Sequence, residues 1–258
     1  SLITPCTYEN HIELIKDADW VLEAVSEKLD IKNKVYESIS PYLNNDAVLS
    51  SNTSGIPLNA LMQGLPESIH HRFMITHFFN PPRYMRLLEL VRGEKTDDET
   101  YCNIAEFGET VLGKGIVHAK DTPNFIANRI GTYGMMLCLQ KTFESNLSIE
   151  DVDSWTGTLV GRPKSGTFRT ADIVGLDTMV YVAKTAFDRC IDDECRDTFK
   201  IPVYIEKMLE NKWLGQKSGQ GFYKKIDKGV IHSINLETLE YAPQNKKKYP
   251  GVRIAKEY

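Results

Sequence analysis

No apolar run in this sequence approaches the ~18 residues that a membrane-spanning helix needs, so nothing in it reads as a bilayer segment. Basic charge is not in excess either. Lys and Arg number 31 against 35 Asp and Glu, a net −4, which leaves no field favouring nucleic acid or an anionic membrane surface. The run Lys246-Lys247-Lys248 is too short to change that balance and reads as a solvated tail. Cysteine is sparse and odd in number: Cys6, Cys102, Cys138, Cys190 and Cys195. Cys190 and Cys195 have no second pair to complete a zinc site, so the five read as free thiols in a reducing, cytoplasmic setting. His70 and His71 with His77 lack a third-ligand pattern, and no metal site is expected. The opening S-L-I-T-P-C reads as neither a signal nor a transit peptide. Against these absences stand 258 residues, 41% hydrophobic and 26% charged, enough for one large globular domain or two modest ones.

The stretch from Ser50 to Gly93 organises the chain. Arg72 to Phe79 (R-F-M-I-T-H-F-F) is an apolar run with β-branched and aromatic residues, the pattern of a strand buried on both faces. Asn80-Pro81-Pro82 stops it, because proline fixes φ and cannot donate to a ladder. His77 thus falls at the end of a buried strand, where open α/β sheets place their ligands. Glu89 interrupts a second apolar run, Leu87 to Val91, and a carboxylate inside a buried strand is costly unless something pairs with it. His77 is the partner this stretch offers, and an imidazole held by a buried carboxylate is what a general base needs. The spacing equally admits a hydrogen-bonded core histidine and a glutamate facing solvent at a sheet edge.

Elsewhere the patterns predict a short helix over 9–17, a strand over Asp19–Val25, a helix over Asp30–Tyr42 and a strand over Ala47–Ser50. Strand, helix, strand in such succession means parallel βαβ units and a doubly wound sheet. A helix over Glu99–Leu112 and a strand over Gly115–Ala119 follow. Asp121-Thr122-Pro123-Asn124 is a turn and cap, with a long helix beginning near Phe125. That helix is apolar nearly all round to Phe143, so it has to be covered by other helices or by a second copy of the chain. Met135, Met136 and Leu139 mark the face expected to form a homodimer. Helices are also predicted over 149–158, 171–189 and 201–211. Val230 to Tyr241 reads as a β-hairpin, and K-K-K-Y-P-G as a linker. The fold class is therefore α/β followed by an all-α part. Residues 1–119 form a nucleotide-binding domain, 120–225 a helical substrate and dimerisation domain, and 226–258 a hairpin and linker.

The runs S-N-T-S, H-F-F-N-P and L-E-L-V resemble the signature of the L-3-hydroxyacyl-CoA dehydrogenase family, most of all the branch fused to an enoyl-CoA hydratase. D-A-D-W-V-L-E-A-V-S-E-K-L-D-I-K and D-I-V-G-L-D extend the resemblance over roughly residues 3–245. Ser165-Gly166-Thr167-Phe168 stands where most members carry G-P-F. The resemblance implies oxidation of an L-3-hydroxyacyl-CoA to the 3-ketoacyl-CoA with NAD as cofactor, in fatty-acid β-oxidation. It makes His77 the base, Glu89 the carboxylate that fixes its tautomer, and Ser54 and Asn128 the groups that hold the substrate oxygen. It places Glu27, Lys32, Ser54, Asn80 and Lys217 against the cofactor. For Ser54 the residue-level alternative is a hydroxyl serving its own turn. For Asn128 it is a cap or buried amide, and for Glu27 and Lys32 an exposed charge pair at a helix start. Implied partners are an acyl-CoA and a hydratase, fused or bound. A related 3-hydroxy-acid dehydrogenase, or a catalytically silent substrate and dimerisation module, would share these residues.

One element of such a fold is missing from the sequence. A dinucleotide site opens with a strand, a G-x-G-x-x-G turn and a helix whose N-terminus holds the pyrophosphate. The nearest glycine clusters, Gly113-Lys114-Gly115 and Gly219-Gln220-Gly221, do not lie between a first strand and helix. The family carries that unit upstream of the position equivalent to Ser1, so the sequence reads as a fragment of the nucleotide domain. Loss of a phosphate site costs several kcal/mol, and each ~1.4 kcal/mol is tenfold in Kd. The 258-residue chain is thus expected to bind NAD no more tightly than about millimolar and to show no dehydrogenase turnover. Calorimetric binding in the micromolar range would contradict this.

Overall fold

Strand β3 (Phe73–Phe78) shows why the first part of the chain folds as it does. Successive side chains of a strand point to opposite faces. Phe73 and Ile75 therefore enter one core with Tyr36, Leu49, Leu58 and Val91, while Met74 enters another with Leu88, Leu90 and Ile104. A strand with two buried faces has to lie inside a sheet covered by helices on both sides. In the computed structural model, which describes residues 2–227, 229–245, 247 and 249–255, that is where it lies.

The described chain divides into two compact units, residues 1–127 and 128–258. The first holds a five-stranded sheet in the order β1 (Trp20–Glu23), β2 (Val48–Ser51), β3, β4 (Leu87–Arg92), β5 (Gly115–Ala119). Helix α1 (Tyr8–His11) continues into a 3-10 turn. Helix α2 (Leu29–Ile39) joins β1 to β2, and α3 (Leu58–Met62) joins β2 to β3. Helix α4 (Asp98–Thr110) joins β4 to β5. The fold is Rossmann-like, and β1, β2 and β3 run parallel. The purely parallel expectation stops there. β4 is antiparallel to β3, with His77 directly opposite Glu89, and β5 is parallel to β4. The eight residues between β3 and β4 are too few for a crossover, which takes a dozen or more. The chain can only turn back.

The second unit is helical: α5 (Ala127–Glu144), α6 (Ile149–Trp155), α7 (Phe168–Val174), α8 (Leu176–Arg189) and α9 (Val203–Glu210). A three-stranded antiparallel sheet follows, β6 (Tyr223–Asp227), β7 (Val230–Ile234) and β8 (Tyr241–Pro243), then α10 (Pro250–Ala255). The expected hairpin from Val230 to Tyr241 is present as β7 and β8, and β6 pairs on its other side. The single helix expected over 171–189 is two helices, because Gly175 sits at φ +95°, a conformation that L side chains rarely adopt. Lys246 and Lys248 of the expected linker lie outside the described residues. The apolar face of α5 is also corrected. Met136 and Leu139 are fully buried in the unit's own interior, and Met135 packs against the same core, so they form no free surface. The exposed apolar residue on that helix's first turns is Ile130.

Two buried acids hold this unit together. Asp172 accepts Phe222 N at 2.8 Å and Tyr223 N at 2.9 Å. Asp153 accepts Phe168 N at 2.6 Å, Arg169 N at 3.1 Å and the Tyr223 hydroxyl at 2.7 Å. A Cβ at Gly215 would lie 2.4 Å from the Asp172 carbonyl oxygen, and one at Gly221 2.1 Å from its carboxylate, so only glycine allows the turn to close. Burial pushes Asp172 up from 3.8 to about 6, opposed by its two amide bonds, and raises Asp153 as well. A carboxyl raised on folding favours the folded state most below its unfolded value, and that contribution fades as pH rises through about 6. Asp172 alone accounts for roughly 3 kcal/mol of this dependence. The thermal midpoint is expected to rise by roughly 5 °C between about pH 7.5 and about pH 5. Asp172→Asn should flatten that rise. An unchanged slope in differential scanning calorimetry would rule out Asp172 as its source.

Candidate active site

The parallel strands β1, β2 and β3 end at one edge of the sheet, and a group of buried polar residues lies there. At the end of β3, His77 is nearly buried, and its Nδ1 lies 2.8 Å from Glu89 Oε2. Glu89 is completely buried. Its other oxygen accepts Ile126 N at 3.0 Å and Ala127 N at 2.8 Å. A carboxylate can only accept, so the bond to His77 puts a proton on Nδ1, and in the neutral ring Nε2 then carries the lone pair. The rings of Phe79 and Phe125 stand 4.5 and 5.5 Å from the imidazole, centroid to centroid. The arrangement is a histidine oriented by a buried acid, with an apolar wall, and it can take a proton from a group placed at Nε2.

The turn after β2 lies at the same edge. Asn52 Oδ1 accepts Phe78 N at 2.9 Å, tying the turn to the strand that carries His77. The Glu27 carboxylate, through Oε1, accepts the Thr53 hydroxyl at 2.6 Å and the amides of Ser54 and Gly55, each at 3.0 Å. The Ser54 hydroxyl lies 3.5 Å from that same oxygen, a long contact that leaves it free for another partner. Asn80 is exposed, two residues beyond β3.

Other expected site residues are placed differently. Lys32 is not an exposed helix-start charge. It is 1% exposed and its amine reaches Glu23 at 2.8 and 3.0 Å and Glu27 at 3.5 Å. Any influence it has on a ligand passes through those acids. Asn128 and Lys217 belong to the second unit. Asn128 lies half-buried in the first turn of α5, and Lys217 is half-exposed and paired with Asp177 at 2.6 Å.

Glu23 went unnoticed in the sequence. It ends β1 directly opposite Ser51 and is 4% exposed. The signal that marked Glu89, an acid interrupting an apolar run, was also present in W-V-L-E-A-V.

The sequence matches two family models in succession, over residues 1–122 and 125–225. Residues 1–122 match the NAD binding domain of 3-hydroxyacyl-CoA dehydrogenase, and residues 125–225 match its C-terminal domain. The chain belongs to the 3-hydroxyacyl-CoA dehydrogenase family. It is 45% identical over 257 residues to a probable 3-hydroxyacyl-CoA dehydrogenase of Bacillus subtilis, covering 100% of this chain and 32% of the relative. It is 38% identical to a putative fatty acid oxidation complex trifunctional enzyme of Rickettsia prowazekii, covering 95% and 35%. Its fold is similar to that of (S)-3-hydroxybutyryl-CoA dehydrogenase from Ralstonia eutropha, with TM-score 0.72 and 30% identity over 81% of this chain and 71% of that one. The chain thus spans about a third of the length of the Bacillus and Rickettsia relatives.

Proposed function

We propose that this chain supplies the acid–base and substrate-holding part of a dehydrogenase that oxidises L-3-hydroxyacyl-CoA thioesters to 3-ketoacyl-CoA. The observation that carries the reading is the 2.8 Å bond from His77 to a fully buried Glu89 at the ligand edge of a Rossmann-like sheet. The bound NAD would supply the hydride acceptor. The donors and acceptors at the edge, Glu27, Ser54 and Asn80, suit a ribose and a carboxamide. The Ser54 and Gly55 amides are already engaged by Glu27 and offer nothing to a pyrophosphate.

Within the chain, His77 Nε2 takes the 3-hydroxyl proton as the C3 hydride leaves. Glu89 holds the ring in the tautomer that makes this possible and stabilises the imidazolium that forms. Ser54 hydrogen-bonds the 3-oxygen and keeps it in line with Nε2. Asn128 is assigned to the substrate carbonyl and Lys217 to the cofactor on family resemblance, while Lys32, buried against Glu23, would act on the cofactor only through Glu27. Residues 1–119 would serve the cofactor and 120–225 the substrate. An enoyl-CoA hydratase, fused or bound, suits the chemistry, since hydration of a 2-enoyl-CoA delivers the 3-hydroxy substrate. The Rickettsia relative's name as a trifunctional enzyme supports such a partner.

General-base assistance is worth ~10²–10⁴-fold. With the chain fused behind a G-x-G-x-x-G βαβ unit, His77→Ala should lower kcat by ~10²-fold or more with a modest change in KM. Turnover at the parent rate would remove His77 from the mechanism.

A homodimer is proposed as well. Because Met136 and Leu139 are enclosed, the contact is assigned to Ile130, 66% exposed, with Gly131 and Gly134 beside it on α5. Sedimentation at tens of micromolar should give twice the mass of 29.3 kDa, and Ile130→Asp should return it to the monomer. A parent that sediments as a monomer would refute the dimer.

A further inference from the structure

Glu23 has no part in the chemistry above, yet it is the most heavily engaged carboxylate at the ligand edge. Its Oε1 accepts Val25 N at 2.6 Å and Lys32 Nζ at 2.8 Å. Its Oε2 accepts Lys32 Nζ at 3.0 Å, the Tyr36 hydroxyl at 3.1 Å and the Ser51 hydroxyl at 2.6 Å. Both side chains of the Glu23–Lys32 pair are 1% exposed. Such a pair is held only where several further hydrogen bonds complete it, and three elements provide them: α2, the end of β2 and the loop after β1.

The network continues outward from there. Lys32 stands 3.5 Å from Glu27 Oε2, the oxygen that does not bind the turn. Glu27 Oε1 binds the turn through Thr53, Ser54 and Gly55. Ser51, held by Glu23, receives Thr53 N at 3.2 Å. The turn that carries Ser54 is therefore gripped at both ends, by Glu23 through Ser51 and by Glu27, whose second oxygen faces an ammonium fixed by Glu23. Glu27 is about a quarter exposed, so without a fixed cation behind it the carboxylate is free to swing to solvent. Two α2 residues, Lys32 and Tyr36, one turn apart on the same face, both end on Glu23. This face of α2 is organised around Glu23.

We propose that Glu23 is a positioning residue that, through Lys32 and Ser51, holds Glu27 against the Ser51–Gly55 turn and so sets the place of Ser54. That Ser54 matters for turnover rests on the proposed function; the grip on the turn does not.

Backbone amide exchange, followed by NMR on the 258-residue chain, tests the grip without any ligand. In the parent, the Ser54 and Gly55 amides should be protected. Glu23→Gln keeps the shape but removes the charge that fixes Lys32, and should speed exchange at these two amides by ~10-fold while the β2 and β3 ladder amides keep their rates. Lys32→Met should speed the same two. If Glu23→Gln alone fails to fold, the double variant Glu23→Gln/Lys32→Met, which buries no unpaired charge, should fold and still exchange fast at Ser54 and Gly55. Parent-like protection of those amides in any folded one of these variants overturns the proposal. In the fused dehydrogenase, Glu23→Gln should also lower kcat. Fast exchange with undiminished kcat would leave the grip standing and remove Ser54 from the mechanism. Parent-like exchange with reduced kcat would overturn the grip.

Discussion

A carboxylate buried within a strand has to be surrounded by donors, and that requirement shapes this edge of the sheet. Glu89 draws in the His77 imidazole on one oxygen and two consecutive backbone amides, Ile126 and Ala127, on the other. An acid left without such partners would cost several kcal/mol, so the chain after β5 has to pass where those amides can reach it. The sharp path there is visible in the backbone: Asn124 and Phe125 both adopt positive φ, 62° and 47°. Phe125 thereby joins the core of the first unit and stands against the histidine ring. The orientation of the His77 ring and the course of the chain beyond β5 are two results of one satisfied acid.

Buried or turn carboxylates fix other connections in the same way. Asp121 receives Leu58 N on both oxygens, each at 3.0 Å, and starts α3 from a distant loop. In the second unit Asp172 and Asp153 receive backbone amides from a glycine-rich turn and from the start of α7. There the price of burial shows in raised carboxyls, Asp172 at about 6. Backbone donors locate a carboxylate firmly because they come from elements that cannot rotate away, whereas exposed pairs such as Lys141–Glu144 contribute little.

Much of this was legible in the sequence, and the residues that were not have specific reasons. His77 and Glu89 could be paired because both interrupt apolar runs and a short, proline-stopped connection leaves few ways to join them. The antiparallel return that places them opposite one another follows from the same short connection. Periodicity alone, with strands and helices alternating, pointed to a uniformly parallel sheet. Lys32 looked exposed because lysine almost always is; its burial depends on Glu23, a residue separated from it by eight others and brought near only by the β1–α2 connection. Met136 and Leu139 looked like surface because one helix cannot show which of its apolar residues its own neighbours cover. Gly175 looked like part of a helix because only its backbone conformation, not its neighbours' composition, ends α7.

The division of work between Glu89 and Glu23 follows from their different partners. Glu89 meets a side chain that can gain and lose a proton, so in the proposed reaction its burial would act through the ring it orients. Glu23 meets an ammonium and two hydroxyls within a closed shell, with 1% of its side chain reaching solvent, and a ligand at the sheet edge has no direct access to it. What such a shell can transmit is geometry: the position of Ser51, of Glu27, and of the turn between them. β1 and β4, the outer members of the two strand pairs β1–β2 and β3–β4, each contribute a buried acid, one beside the His77 ring and one beneath the Ser51–Gly55 turn. The register of the sheet makes this possible, since Glu23 faces Ser51 across one strand pair as Glu89 faces His77 across another. A slip of one residue in either pairing would turn the acid to the opposite face of the sheet. The packing of both faces of the sheet that fixes the register therefore also fixes the polar edge.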